Sequence, residues 1–164
     1  MFPELSTAVW VLIALGAIVS IVLFLRSRTA DELTVEIEAL LPLINELSQA
    51  EEGAWMSVIF MPGGQLDFSI EGKGEMAMTF AINEPDQQAN KIAAIEAYKK
   101  LGLDVLESER NGFKFLNCVL PVEPTNITEN AKSIIVRLRG DTSDPLWVIP
   151  EGFNYQRVLE RVGT

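Results

Sequence analysis

The first candidate for a functional site in this 164-residue chain is a glycine–lysine turn that could bind phosphate. Gly72-Lys73-Gly74 combines a lysine with glycines, as phosphate-binding loops do. A Walker loop, however, runs Gly-x-x-x-x-Gly-Lys-Ser/Thr and leads into a helix. Here a glycine follows the lysine, and the next residues, EMAMTFAIN, alternate as a strand does. The stretch therefore predicts a hairpin turn and no phosphate site.

Paired carboxylates are the second candidate. Glu107 and Glu109 fall on one face of a predicted strand, and Asp141 and Asp144 flank a predicted turn. Two carboxylates divide acid and base roles only where their surroundings separate their pKa values. The neighbouring sequence is polar and gives no sign of burial, so we expect these side chains to be solvated charges.

The third candidate is Cys118, the one cysteine of the chain. It lies among apolar residues of a predicted strand, and the chain has no histidine to activate it. The absence of histidine also removes the commonest general base and the commonest metal ligand. We therefore predict a buried thiol, no catalytic residue, no metal site, no cofactor, and a protein that is not an enzyme.

The longest apolar run lies at the N-terminus. Ala8 to Leu25 is a run of 18 residues without a charge. As a helix it would be about 27 Å long, close to the roughly 30 Å thickness of the hydrocarbon layer of a membrane. A cleaved signal needs a basic n-region, which MFPELST lacks, and a core helix would show a polar face. We predict a retained transmembrane helix over residues 8–25, with the signal peptide and the core helix as the alternatives.

The residues that flank this run predict its orientation. Arg26 and Arg28 follow it and no basic residue precedes it, so the positive-inside rule puts the N-terminus outside and the rest of the chain in the cytoplasm. This predicts a single-pass protein of the bacterial inner membrane. Gly16 and Ser20 have the spacing that lets two spans pack closely, although chance also produces such pairs.

The composition of the chain limits the kinds of partner that the domain after the predicted anchor could bind. The net charge is −10, whereas nucleic-acid-binding domains are usually basic, so nucleic acid is excluded. An acidic domain of this kind suits free solvation or a basic partner. A single cysteine forms no disulfide within the chain and agrees with a reducing compartment.

Periodicity predicts an α+β domain behind the anchor. A helix follows Thr29, with a break near Leu41 before Pro42, and then three strands, a helix, a hairpin at Asn111-Gly112 and a closing helix. The predicted order is α-β-β-β-α-β-β-α with an antiparallel sheet. We predict a membrane anchor over 1–28, the cytoplasmic domain over 29–140, and a docked C-terminal tail over 141–164.

The stretch AYKKLGLDVLESERNGFKFLNCVLPVEPTNITENAKSIIVRL has a helix ending in Leu-Gly-Leu, a hairpin, a Leu-Pro-Val exit and an amphipathic closing helix. With this element order, residues 30–140 resemble the class I type III secretion chaperones and the YbjN-like proteins. The resemblance implies a small α+β domain that binds polypeptide, often as a homodimer, and that is not an enzyme.

Two functional hypotheses follow. In the first, the protein is a membrane-anchored interaction module that binds a polypeptide or a partner complex, and Trp55, Ile59 and Trp147 are the candidate contact residues. In the second, it is an assembly subunit of a larger membrane complex and is recognised through Gly16 and Ser20. Core filling is the simpler alternative for each of the three large side chains.

Overall fold

The computed structural model describes residues 32–60, 64–72, 74–82, 88–110, 113–139 and 143–162. These residues form one antiparallel sheet of seven strands in the order β1-β7-β2-β3-β4-β6-β5. The strands are β1 (Leu33–Val35), β2 (Trp55–Phe60), β3 (Gly64–Gly72), β4 (Glu75–Ile82), β5 (Leu106–Arg110), β6 (Phe113–Pro121) and β7 (Leu146–Glu151).

Four α-helices accompany the sheet. They are α1 (Leu40–Leu47), which follows a 3-10 turn at Ile37–Ala39, α2 (Gln88–Lys100), α3 (Pro124–Arg139) and α4 (Gln156–Val162). Pro42 lies in the first turn of α1, where a missing backbone N–H is tolerated. Pro124 opens α3 at the position where the fixed φ of proline favours a helix start.

One face of the sheet forms the hydrophobic core with the helices. Alternate side chains of the central strands are fully buried there, because successive residues of a strand point to opposite faces. The cluster includes Met56, Val58, Leu66, Phe68, Met78, Phe80, Leu116 and Val148 from the strands and Leu43, Ile44, Tyr98, Ile127, Ala131 and Ile134 from the helices. The architecture is therefore two layers, with the helices on one side of the sheet.

The middle of the chain folds as its periodicity predicts. β2, β3 and β4 form an antiparallel meander, and β5 pairs with β6 so that Arg110 lies opposite Phe113, as a hairpin through Asn111-Gly112 requires. Along α3, the predicted apolar residues Ile127, Ala131 and Ile134 are all buried.

The predicted fold class is wrong at the start of the domain. In place of the predicted helix from Thr29 with a break near Leu41, Leu33–Val35 form an edge strand, and α1 begins only at Leu40. Leu33 fits a helical stripe that continues at Ile37, whereas Leu33 and Val35 together fit the alternation of a strand. Pairing of Leu33 with Val148 and of Val35 with Leu146 in β7 favours the strand.

The membrane-spanning part of the predicted fold class is also corrected. Among the residues from 32 onward that the structure describes, no helix is long and apolar enough to cross a membrane. The predicted span over residues 8–25, with Gly16 and Ser20, lies outside the described residues. The localisation that depends on it stays a prediction.

The end of the chain adds elements that the predicted order lacks. Residues 146–151, within the predicted tail, form β7 between β1 and β2, and α4 follows with Val158 buried in the core. The sheet thus has seven strands in place of the predicted five. Leu146 and Val148 are fully buried, which explains why this stretch is too apolar to be a linker.

Candidate functional site

The sheet face opposite the helices is the candidate site, and we call it the open face. Cross-strand partners share a face, so the register assigns its side chains. One row across the sheet reads Ile149, Ser57, Asp67, Thr79, Asn117 and Leu106, and the next reads Glu151, Trp55, Ser69, Ala77 and Val119. No described helix covers these rows, and several of their large side chains are exposed.

An aromatic patch occupies the β2–β7 side of the open face. Ile59 lies directly opposite Trp147, whose side chain is 49% exposed, and both line a surface depression of about 410 Å³. Asp144 and Pro145, which precede β7, complete the lining of the depression. A large exposed indole beside an apolar depression is the kind of feature that protein interfaces use as an anchor.

A second apolar patch lies on the β5–β6 side of the same face. Leu106 is 75% exposed, Val119 54% and Phe113 49%, and Phe115 is half-buried. The register puts all four side chains on the open face as two pairs, Phe113 with Phe115 and Leu106 with Val119, and Asn117 lies between them on β6. Exposed apolar groups that adjoin one another mark interaction surfaces, whereas isolated ones are ordinary.

Polar and small side chains of β3 and β4 separate the two patches. Ser57 donates a hydrogen bond to the Asp67 carboxylate, and Gln65 Nε2 donates to Asp67 Oδ1 at 2.8 Å. Farther along, Thr79 Oγ1 donates to Asn117 Oδ1 at 3.1 Å.

The hydrogen bonding continues from β6 to β5, because Asn117 Nδ2 donates to Ser108 Oγ of β5 at 2.7 Å. These side chains are held by one another, and Ala77 and Ala81 beside them are small. We call this strip of β3 and β4 the trough. Ala77 and Ala81 on it are buried, and the large side chains of β2–β7 and β5–β6 flank it as its walls.

Acidic residues dominate the charge of the open face. The register places Asp67, Glu75 and Glu151 there, and Arg110 is the single base that it places on this face in the described strands. The chain from residue 32 to residue 72 contains eight Asp or Glu and no Lys or Arg. An occupant of the trough therefore meets apolar side chains on both walls, a polar floor and a negative potential.

The predicted contact residues are only partly brought together. Ile59 and Trp147 are adjacent, whereas Trp55 lies on the same face about 13 Å along β2, opposite Glu151. Trp55 and Ile59 are half-buried. The sequence reasoning missed Leu106, Phe113, Phe115 and Val119, although the apolar alternation in FKFLNCV is a signal that could have identified one of the two faces of β6.

The residues that the sequence offers as candidates for catalysis do not form an active-site arrangement. Gly72 ends β3 and Glu75 begins β4, as a hairpin requires. Glu107 and Glu109 are exposed on β5. Lys91 donates to Glu107 across a 2.5 Å Nζ–Oε1 contact, and this hydrogen bond holds the pKa of Glu107 below its usual value. No three acidic or cysteine side chains of the described chain are grouped to hold a metal ion.

Cys118 and Tyr98 are the buried titratable groups of the core. Burial raises the pKa of the Cys118 thiol, and the negative charge of Asp104 adds to the effect. Burial also raises the pKa of Tyr98, whose hydroxyl has no hydrogen-bond partner among the described residues. Both groups are therefore neutral at pH 7.

We expect Cys118 to resist thiol reagents while the chain is folded. A raised pKa means less thiolate at a given pH, and the 3% exposure of the side chain blocks access. Reaction with an aromatic disulfide reagent at pH 8 should be at least about 10³-fold slower in buffer than in 8 M urea, since it requires opening of the core. A folded-state rate within tenfold of the unfolded rate would contradict the burial of this thiol.

Comparison with known proteins finds no matching family model, no matching curated relative and no matching solved structure. The resemblance to secretion chaperones and YbjN-like proteins therefore stays a prediction.

Proposed function

We propose that this protein is a non-enzymatic, polypeptide-binding domain, and that the trough on the open face holds a segment of its partner. The observation that carries the proposal is the pair of apolar patches on one face that no described helix covers, with Trp147 at 49% and Leu106 at 75% exposure. Solitary surface apolar residues need no partner, but two patches that flank one strip of small side chains form a shaped surface.

The dimensions of the trough suit a single segment. β2 and β6 are separated by β3 and β4, and three strand spacings amount to about 14 Å. An α-helix with its side chains is about 10–12 Å across, and an extended chain is narrower. The side chains of both walls narrow this axis-to-axis distance, so an extended segment fits between the walls better than a helix does. Such a segment contacts both patches while the hydrogen-bonded floor remains intact.

The charge of the face favours a partner segment that carries basic residues beside apolar ones. Asp67, Glu75 and Glu151 would face such a segment, and opposite charge increases the association rate more than it increases the final affinity. Catalysis is left out of the proposal because the chain has no histidine and its one thiol is buried.

Site-specific photo-crosslinking in the source cells tests this function. With a benzophenone amino acid at position 147, we expect a discrete adduct with one polypeptide. The same probe at Glu38, an exposed position on the 3-10 turn, should give none. Adding Ile59→Glu should remove the adduct at position 147, because it puts a carboxylate into the apolar depression that both positions line.

The cross-linked segment, made as a synthetic peptide, then provides a quantitative measurement. Trp147→Ala should weaken its binding about tenfold or more, as the loss of an aromatic anchor does. Equal cross-linking at positions 147 and 38, or an affinity unchanged by Trp147→Ala, would be incompatible with a binding site in the trough.

A further inference from the structure

A groove between α2 and α3 lies on the other side of the molecule, in the helical layer. Its volume is about 600 Å³. The side chains along its apolar floor are Ala97, Leu101 and Val136, and Val136 is exposed. Lys100, Lys132 and Arg137 stand around this floor. The groove thus has an apolar floor and a cationic rim, although the net charge of the whole chain is −10.

The basic residues of the two helices are concentrated, and most of those at the groove are unpaired. α2 and α3 together carry six Lys or Arg and two Glu. Arg137 forms an ion pair with Glu96 across 3.0 Å, whereas Lys100 and Lys132 have no acidic partner among the described residues. Lys132 is half-buried and lines the groove. Lysines in such positions commonly bury the apolar stem and keep the ammonium group in water.

We propose that this groove binds an acidic amphipathic helix of a partner protein. An apolar stripe on that helix would fill the floor, and carboxylates beside the stripe would meet Lys100, Lys132 and Arg137. The proposal is independent of the trough, because it uses the opposite layer and the opposite sign of charge.

Backbone hydrogen bonding favours a helix over an extended segment. The walls of the groove are helices, whose backbone groups are already paired, so the groove offers no strand edge to an extended chain. A helix satisfies its own backbone and is recognised through side chains alone. Nucleic acid fits poorly, because the net charge of −10 repels a phosphate backbone and the apolar floor would stay empty.

Two adjacent lysines provide a matched pair of variants. Lys99 and Lys100 are both exposed in the last turn of α2, but Lys100 lines the groove and Lys99 lines a separate depression beside Leu103 and Glu107. Lys100→Glu and Lys99→Glu change the net charge equally. At 0.15 M salt the screening length is about 8 Å, so long-range effects of the two changes are small and comparable.

The probe is a synthetic helical peptide with a Leu/Ile stripe flanked by Glu, and its counterpart has Lys at each Glu position. Binding to the full-length chain is measured by fluorescence anisotropy at 0.15 M salt. We expect the acidic peptide to bind, the basic peptide to bind at least tenfold more weakly, Lys100→Glu to weaken acidic-peptide binding at least tenfold, and Lys99→Glu to change it less than threefold.

Three results would overturn the proposal: no binding of the acidic peptide, equal affinity for both peptides, or equal losses from Lys99→Glu and Lys100→Glu. Unchanged urea unfolding of both variants excludes misfolding as the cause of a loss, because both side chains are exposed. Trp147→Ala should leave the affinity for the acidic peptide unchanged, which separates this site from the trough.

Discussion

Val148→Asp is expected to destabilise the domain by at least about 4 kcal/mol, a large part of the roughly 5–15 kcal/mol by which folded domains are stable. Val148 is fully buried in β7, with Val58 of β2 opposite it on one side and Leu33 of β1 on the other. The substitution loses apolar burial, worth about 1.5–3 kcal/mol, and adds a carboxyl group to a site with no polar partner. Urea unfolding followed by circular dichroism measures the change.

The matched control is Trp147→Asp, one residue earlier on the same strand. Trp147 faces the open side of the sheet and is half exposed, so its new carboxylate stays in water. We expect a loss of about 1 kcal/mol, mainly from cross-strand packing with Ile59. If the two variants had equal stability, β7 would not be a central strand with one face in the core.

The sequence predicts most of the middle of the fold because the local signals there agree with the final packing. The hairpin at Asn111-Gly112 and the apolar stripe of α3 both depend on neighbouring residues. β1 and β7 are different, because β1 pairs with β7 across more than 100 residues of chain and β7 pairs with β2 across about 90. The alternation of Leu33, Val35 and Ile37 is a local strand signal. Leu33 and Ile37 also have helical spacing with Leu40, which is why the prediction of a helix here is wrong.

The candidate site is predictable only in part for the same reason. Trp147 and Ile59 attract notice as large apolar residues, but their adjacency is a consequence of the β2–β7 register. The trough also requires knowledge of which sheet face the helices cover, which a single strand does not reveal. The α2–α3 groove depends on how two helices pack, and the sequence of either helix alone shows only scattered lysines.

Arg139 carries a buried charge. We expect the domain to tolerate the removal of this charge better than the removal of its partner, Asp144. Its side chain is 2% exposed at the end of α3, Nη2 donates to the Asp144 backbone carbonyl, and the Asp144 carboxylate lies 3.6 Å away. Nε and Nη1 have no partner within the described residues. Desolvation of a guanidinium is therefore incompletely offset, and Arg139→Met should be neutral or stabilise the domain by about 1–2 kcal/mol.

Asp144→Ala should act in the opposite direction and destabilise the domain by about 1–3 kcal/mol, because it leaves the buried guanidinium with one backbone acceptor. In the Arg139→Met background the same substitution should have almost no effect, since no charge remains to be neutralised. The four urea unfolding curves form a double-mutant cycle that isolates this interaction. A loss above about 2 kcal/mol for Arg139→Met, or additive effects in the cycle, would show that the guanidinium is satisfied without Asp144.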